Sequence, residues 1–348
     1  MTLKLPLWLW IVLTVLVTVA CGLRQDVFIH SSPPYASPSE CRTIVHQSGK
    51  TQICGKPQRI VVMGPNLLEL LLVLGEQPIG FGDHIRFHGG DYDNPTQQIP
   101  YLGDRMTTKP INVGLTYAPS LEALLKSKPD LILGLDYLSS QYPLLSKIAP
   151  TLLFKWFDSE ANLRAIATAV GKPQQAESLL GKMQQDVAKA RQQLAPIATA
   201  YPKVFMLSSS NLRDISLINP HSMCSAVVAD LGFQLVYPPR VDPSKILGTM
   251  PLSLEELPQL DKADLGILLG FDFAVLGQSA EGKRLEAHQL EPLKRAWATN
   301  AIAQALSESK AGRVIFLPAY LCLGLPGPIG TELYLKALQQ QLQTFPLP

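Results

Sequence analysis

The chain lacks an excess of charge of either sign. Its formal net charge is +2, with acidic and basic residues spread along its length. No basic block of the kind that neutralises a phosphate backbone appears, so nothing points to a nucleic-acid partner. Histidine is scarce, at six residues, whereas direct capture of a metal ion usually draws on several His and carboxylate groups. There is no Gly-x-Ser-x-Gly elbow, no Walker loop, no His-Glu-x-x-His and no cluster of His and Cys. Motif grounds for a hydrolase, an NTPase or a zinc enzyme are therefore missing. Cysteines number only five, but their positions are informative.

What is present is apolar. Hydrophobic residues make up 47% of 348 and charged ones 17%, which suits a globular chain long enough for two domains. After Lys4, residues 5–20 form a nearly unbroken apolar run, too short to span a bilayer well and ending in small residues before Cys21. That is the pattern of a signal peptide. Thr18-Val19-Ala20-Cys21 resembles a lipobox, departing from it at Thr18, where an aliphatic residue is usual. The expectation is a signal peptide over residues 1–20, a lipid on Cys21 and a tether over 21–40, where Ser31-Ser32-Pro33-Pro34 shows little hydrophobic pattern. Ordinary cleavage after Ala20 is the other reading, and both export the protein.

Cys41 and Cys54 flank two short β-like segments with Ser48-Gly49 between them. A turn over residues 46–49 puts the two cysteines opposite each other in a hairpin (residues 41–55), within disulfide reach. An isolated hairpin is marginal, and a cross-link would hold it in an oxidising compartment. Zinc would need more ligands than His46 supplies. Cys224 and Cys322 are far apart in sequence, and either a second bridge or two small buried thiols would suit them.

From Lys56 onward, short β-branched runs alternate with helical segments. Strands are expected at residues 59–63, 78–82, 130–134 and 150–154, with helices at 67–74, 120–128 and 159–170. Asn66 is the expected cap of the first helix, and Asp83 and Asp136 are expected to be caps or turn residues. Residues 174–194 carry Ala176, Leu179, Leu180, Met183, Val187 and Leu194 at helical spacing and predict one helix of about five or six turns, closed by Pro196 and Pro202. The α/β rhythm then restarts, with strands near 204–207, 234–236, 265–269 and 314–317, a helix over 223–231 and a last helix over 330–342. Ser120-Leu121-Glu122 leading to Asp130-Leu131-Ile132-Leu133-Gly134 is echoed by Ser253-Leu254-Glu255 leading to Asp264-Leu265-Gly266-Ile267-Leu268-Leu269-Gly270. The expected fold class is α/β: lobes over 56–172 and 203–345 with mostly parallel sheets, a connecting helix over 173–196, and a ligand cleft between the lobes.

This organisation resembles the substrate-binding proteins of iron-siderophore, haem and cobalamin ABC importers. The match rests on Cys41 to His46 with Lys56 to Val62, on Leu121-Glu122 with Lys128-Pro129-Asp130, and on Gly312 to Tyr320 with Gly327 to Glu332. The resemblance implies a binding protein, not an enzyme, that delivers a ferric siderophore to a membrane permease, with a haem or cobalamin receptor as the alternative and a two-lobed metal-dependent enzyme further off. It implies no cofactor and no protein metal site, because the chelator satisfies the iron, and it implies a monomer held at the periplasmic face of the membrane by its lipid. Anionic chelates favour Arg, Tyr and Trp side chains, presented by loops beyond strand C-termini. Those loops give His84, Arg86, Phe87, Tyr137, Trp156, Phe157, Asn211, Arg213, Arg240, Phe271 and Tyr320. Arg86, Arg240, Trp156, Tyr320, Tyr137, His84 and Phe271 are the expected ligand-binding set. Glu122 and Glu255, one per lobe, match the family's permease-docking carboxylates. Their helices precede strands, and they are expected to start away from the strand-end loops.

Overall fold

The computed structural model describes residues 41–85, 89–272 and 282–347. Expectations for Cys21, Arg86 and Phe87 fall outside them. Cys41–His46 (β1) and Gly49–Cys54 (β2) form an antiparallel hairpin with Cys41 opposite Cys54, and the two are joined by a disulfide. The hairpin does not stand alone. The Gln47 amide donates to the Leu153 carbonyl at 2.9 Å, the Thr51 hydroxyl donates to the Thr151 carbonyl at 3.1 Å, and Ile44 and Ile53 enter a core cluster. It thereby covers an edge strand that would otherwise expose unpaired backbone groups.

The N-terminal sheet contains Ile60–Met63 (β3), Gly80–Asp83 (β4), Ile111–Leu115 (β5), Ala118–Pro119 (β6), Leu131–Leu135 (β7) and Thr151–Phe154 (β8). Its order is β6-β5-β4-β3-β7-β8, parallel except for β6. Ile60, Val62, Leu131 and Leu133 join the core on one face, and Val61, Met63 and Ile132 join a second cluster on the other. Period-two alternation inside continuous apolar runs is what burial on both faces requires. The first helix, Pro65–Val73, is capped by Gly64 with Pro65 in its first turn. Asn66 lies inside the helix and is buried. A proline suits the first helical position because the amide it lacks would have had no partner there.

The connecting helix is Pro173–Ala200, 28 residues. Ala176 and Leu180 enter the N-terminal core, while Ala190, Leu194, Ile197 and Ala198 enter the C-terminal one. It does not stop at Pro196 as expected. Leu194, Ile197 and Ala198 anchor the last turns, whereas Pro196 and Gln192 are exposed, so water can serve the carbonyl that the proline leaves unpaired.

The C-terminal sheet contains Lys203–Ser209 (β9), Ser216–Ile218 (β10), Gln234–Leu235 (β11), Thr249–Pro251 (β12), Leu265–Gly270 (β13) and Val314–Pro318 (β14). Its path is β12-β10-β9-β13-β14, with β11 also on β9; β9, β11, β13 and β14 are parallel, and β10 and β12 are antiparallel. The short strands β5, β6, β10 and β12 and the helix Tyr142–Ile148 are additions to the expected elements. The last helix is Pro328–Leu342. Cys224 and Cys322 form a second disulfide.

Among the described residues, the carboxyls Glu69 and Glu308 have no exposed surface. Burial pushes Glu69 up to about 8, against lowering by backbone amides of Gly330, Gly327 and Ile329. Burial likewise pushes Glu308 up to about 7. A carboxyl with a raised folded pKa holds its proton in the fold while the unfolded chain has released it, so stability falls as pH rises. The melting temperature should therefore decline as pH rises from about 4.5 to about 8. Glu69→Gln and Glu308→Gln should each flatten part of that decline in thermal melts at stepped pH. A profile identical to wild type in both variants would contradict the assignment.

Candidate functional site

At the C-terminal edge of both sheets lies a cavity of about 260 Å³ lined by His84, Trp156, Ser208, Ser216, Thr249, Phe271, Ala319, Tyr320, Leu323 and Gly324. His84 follows β4 and Trp156 follows β8 in one lobe, while Phe271 follows β13 and Tyr320 follows β14 in the other. Parallel strands direct their C-terminal loops to one edge, which is why residues so distant in sequence meet there. Four of the seven expected ligand-binding residues line this cavity.

Its rings form a chain. Tyr101 lies 5.6 Å from Tyr320, Tyr320 5.6 Å from His84, and His84 6.3 Å from Trp156, between centroids. Such separations allow tilted and edge contacts, which aromatic quadrupoles favour. The lobes are also hydrogen-bonded across the site. Trp156 Nε1 donates to the Leu323 carbonyl at 3.0 Å, and the Tyr101 hydroxyl donates to Glu286 at 3.3 Å. Tyr101 adopts a φ of 60°, which costs a non-glycine residue energy and is found where surroundings hold it. Burial, then the charge of Asp83, pushes the Tyr320 hydroxyl well above its ordinary pKa, so it is a neutral phenol.

Asp83 is not the turn residue expected. It is buried, and its Oδ1 lies 2.7 Å from both the backbone amide and Nδ1 of His84. A carboxylate on Nδ1 orients the ring and selects its tautomer. Sequence reasoning missed Asp83, Tyr101 and the hydroxyls of Ser208, Ser216 and Thr249; only the adjacency of Asp83 to His84 was a visible signal.

The remaining expected residues lie elsewhere. Tyr137 is 40% exposed at the end of β7 and does not line the cavity. Arg240 is exposed and lies apart from it too. Its positive charge instead acts on Glu256, whose carboxylate accepts from the Ser253 amide in a capping box. Glu122 and Glu255 are both exposed in the first turns of Leu121–Ser127 and Leu254–Leu260. They do not begin on the far side of the sheets. A helix leading into a parallel strand runs antiparallel to it, so its N-terminus lies at the strands' C-terminal edge. Accordingly Ser120 shares a hollow of about 440 Å³ with Asp83 and Ile85 at the end of β4. Exposed Tyr117, Leu121 and Leu125 surround Glu122 in sequence.

Residues 60–256, more than half the chain, match the family described as Periplasmic binding protein. The chain belongs to that family. Among its relatives, the probable siderophore-binding lipoprotein YfiY of Bacillus subtilis (strain 168) is 32% identical over 231 residues, 64% of this chain and 65% of that protein. The Fe(3+)-citrate-binding protein YfmC of the same organism is 24% identical over 318 residues, 87% and 86% of the two chains. Among solved structures, Staphylococcus aureus SirA complexed with staphyloferrin B superposes with a TM-score of 0.68 at 24% identity, covering 87% of this chain and 98% of that one. The ring-lined cavity draws its walls from both lobes.

Proposed function

We propose that this periplasmic binding protein serves an ABC importer outside the cytoplasm, as a monomer that binds a ferric siderophore and hands it to the permease. The observation that carries the reading is the cavity walled by His84, Trp156, Phe271 and Tyr320 from two lobes. Aromatic faces suit a chelator's carbon skeleton, and the hydroxyls of Ser208, Ser216 and Thr249 suit its oxygens. In this reading the chelator satisfies the iron, and the protein contributes no catalytic step. The names of the relatives, one for a siderophore and one for ferric citrate, support the cargo class. Cys21 supplies the lipid anchor, and the relative named a lipoprotein supports that placement.

Glu122 and Glu255 are the docking carboxylates for cations on a paired permease. They flank the edge that holds the cavity, so cargo and transporter meet the same side of the molecule. A charge-assisted hydrogen bond contributes about 1.5–3 kcal/mol, and each lobe provides one. Glu122→Ala with Glu255→Ala should therefore abolish uptake of radiolabelled ferric chelate by cells, while either change alone impairs it less. The purified double variant should bind cargo as the wild type does. Normal uptake by the double variant, or loss of its affinity, would overturn the docking assignment.

A further inference from the structure

Glu69 lies mid-way along the N-terminal lobe's helix Pro65–Val73, with no exposed surface, among Leu67, Leu68, Leu70 and Leu71. A carboxyl in such surroundings is costly unless its oxygens are satisfied. Here both are. Oε1 accepts from the Gly327 amide at 2.5 Å and Oε2 from the Gly330 amide at 3.1 Å. Those amides open the last helix, Pro328–Leu342, which has no side-chain cap and no acidic residue in its first turn. The first amides of any helix lack partners within it and need acceptors from elsewhere. Glu69 supplies that cap from 258 residues away.

The approach is made by glycine. A Cβ on Gly327 would fall 2.7 Å from Leu70 Cδ2 and 2.8 Å from Glu69 Cδ, and one on Gly330 would fall 1.6 Å from the Leu325 carbonyl oxygen. The helix so held touches both lobes. Ile329 packs in the N-terminal core, whereas Tyr334, Leu335, Leu338 and Leu342 pack in the C-terminal one. Immediately before it, Tyr320, Leu323 and Gly324 form part of the cavity wall, and the Leu323 carbonyl receives Trp156 Nε1.

We propose that Glu69 is a positioning residue for cargo binding: by gripping the start of the last helix it fixes Tyr320 and Leu323 against Trp156. This rests on the reading that the cavity holds the cargo. Arg105 attracts Glu69 through space and pairs with Glu332 on the last helix at 3.8 Å, so the grip has a second, exposed strand of support beside it.

The test compares full-length wild type, Glu69→Ala, Glu69→Gln and, as a control for simple destabilisation, Leu338→Ala at the helix's other end. Amide hydrogen exchange over residues 319–330 reads the grip. Titration with a ferric trihydroxamate, a ferric dicitrate and a ferric tricatecholate reads binding. Glu69→Ala should speed exchange in that segment and weaken binding at least tenfold, about 1.4 kcal/mol. Glu69→Gln, which keeps one accepting oxygen, should fall between it and wild type. Leu338→Ala should lower melting temperature without either local effect. Should Glu69→Ala fail to fold, the glutamine variant decides alone. Unchanged affinity with quickened exchange overturns the positioning role, as does a control that behaves like Glu69→Ala. A wild type that binds none of the three complexes overturns the functional reading and the binding role with it, and exchange then still decides whether the grip exists.

Discussion

Replacing Cys224 and Cys322 together by alanine is expected to lower the unfolding free energy by about 4–5 kcal/mol, the loop-entropy value for a cross-link spanning roughly a hundred residues. The two cysteines are 98 residues apart in sequence. Both are buried: Cys224 in the helix Met223–Asp230, and Cys322 just after Tyr320 in the cavity wall. The bond therefore restrains most of the C-terminal lobe in the unfolded chain. In the folded chain it ties the Tyr320 loop to a helix on the lobe's outer layer. Denaturant unfolding under oxidising conditions should show the full loss. Adding a reductant to wild type should approach the same value once the bond opens. A loss below about 1 kcal/mol would mean that the cross-link does little of this. The Cys41–Cys54 bond, with a separation of only 13, closes a small loop in a hairpin already pinned to β8, and should matter locally.

The second large effect belongs to Tyr320. It is 1% exposed, sits between the rings of His84 and Tyr101, and joins the N-terminal core although it follows a strand of the C-terminal sheet. Truncating a buried aromatic to alanine costs about 3–5 kcal/mol. Tyr320→Ala should show that loss in denaturant unfolding and should lose ferric-chelate binding, because the cavity wall goes with the ring. Tyr320→Phe keeps the volume and should stay within about 1.5 kcal/mol of wild type in stability. It should also retain most of the binding. A Tyr320→Ala protein that binds normally would show that the cargo sits elsewhere.

Residues 60–63, 131–135 and 151–154 were legible because buried parallel strands are written as short apolar runs. Ser120 and Ser253 were legible because caps are local chemistry. The hairpin was legible because its register follows from its turn. Four of the residues expected at the cleft line one cavity, as one topological rule requires: parallel strands end at a common edge. What escaped depends on contacts between distant segments. Nothing around Glu69 in sequence announces Gly327, and nothing around Trp156 announces the Leu323 carbonyl. Pro196 was misread as a stop because a local breaker was weighed without the core contacts of Leu194, Ile197 and Ala198. Arg240 does not line the cavity; an arginine near a strand end does not reveal which way its side chain leaves the loop, and its charge acts on Glu256 instead. The edge at which the helices carrying Glu122 and Glu255 begin was legible but misjudged, since antiparallel packing of helix and strand follows from chain order alone.

The central claim is that this cavity binds a ferric siderophore. Of the two tryptophans among the described residues, Trp156 and Trp297, only Trp156 lines it. An intrinsic-fluorescence titration with ferric hydroxamate, citrate and catecholate siderophores, their metal-free forms, haem and cobalamin, on wild type and Trp156→Phe, addresses the claim directly. The account predicts saturable one-to-one quenching by at least one ferric siderophore, weaker quenching by the same chelator without iron, and loss of most of the signal in Trp156→Phe. Tighter binding of haem or cobalamin than of any ferric siderophore, or quenching that persists unchanged without Trp156, would contradict it.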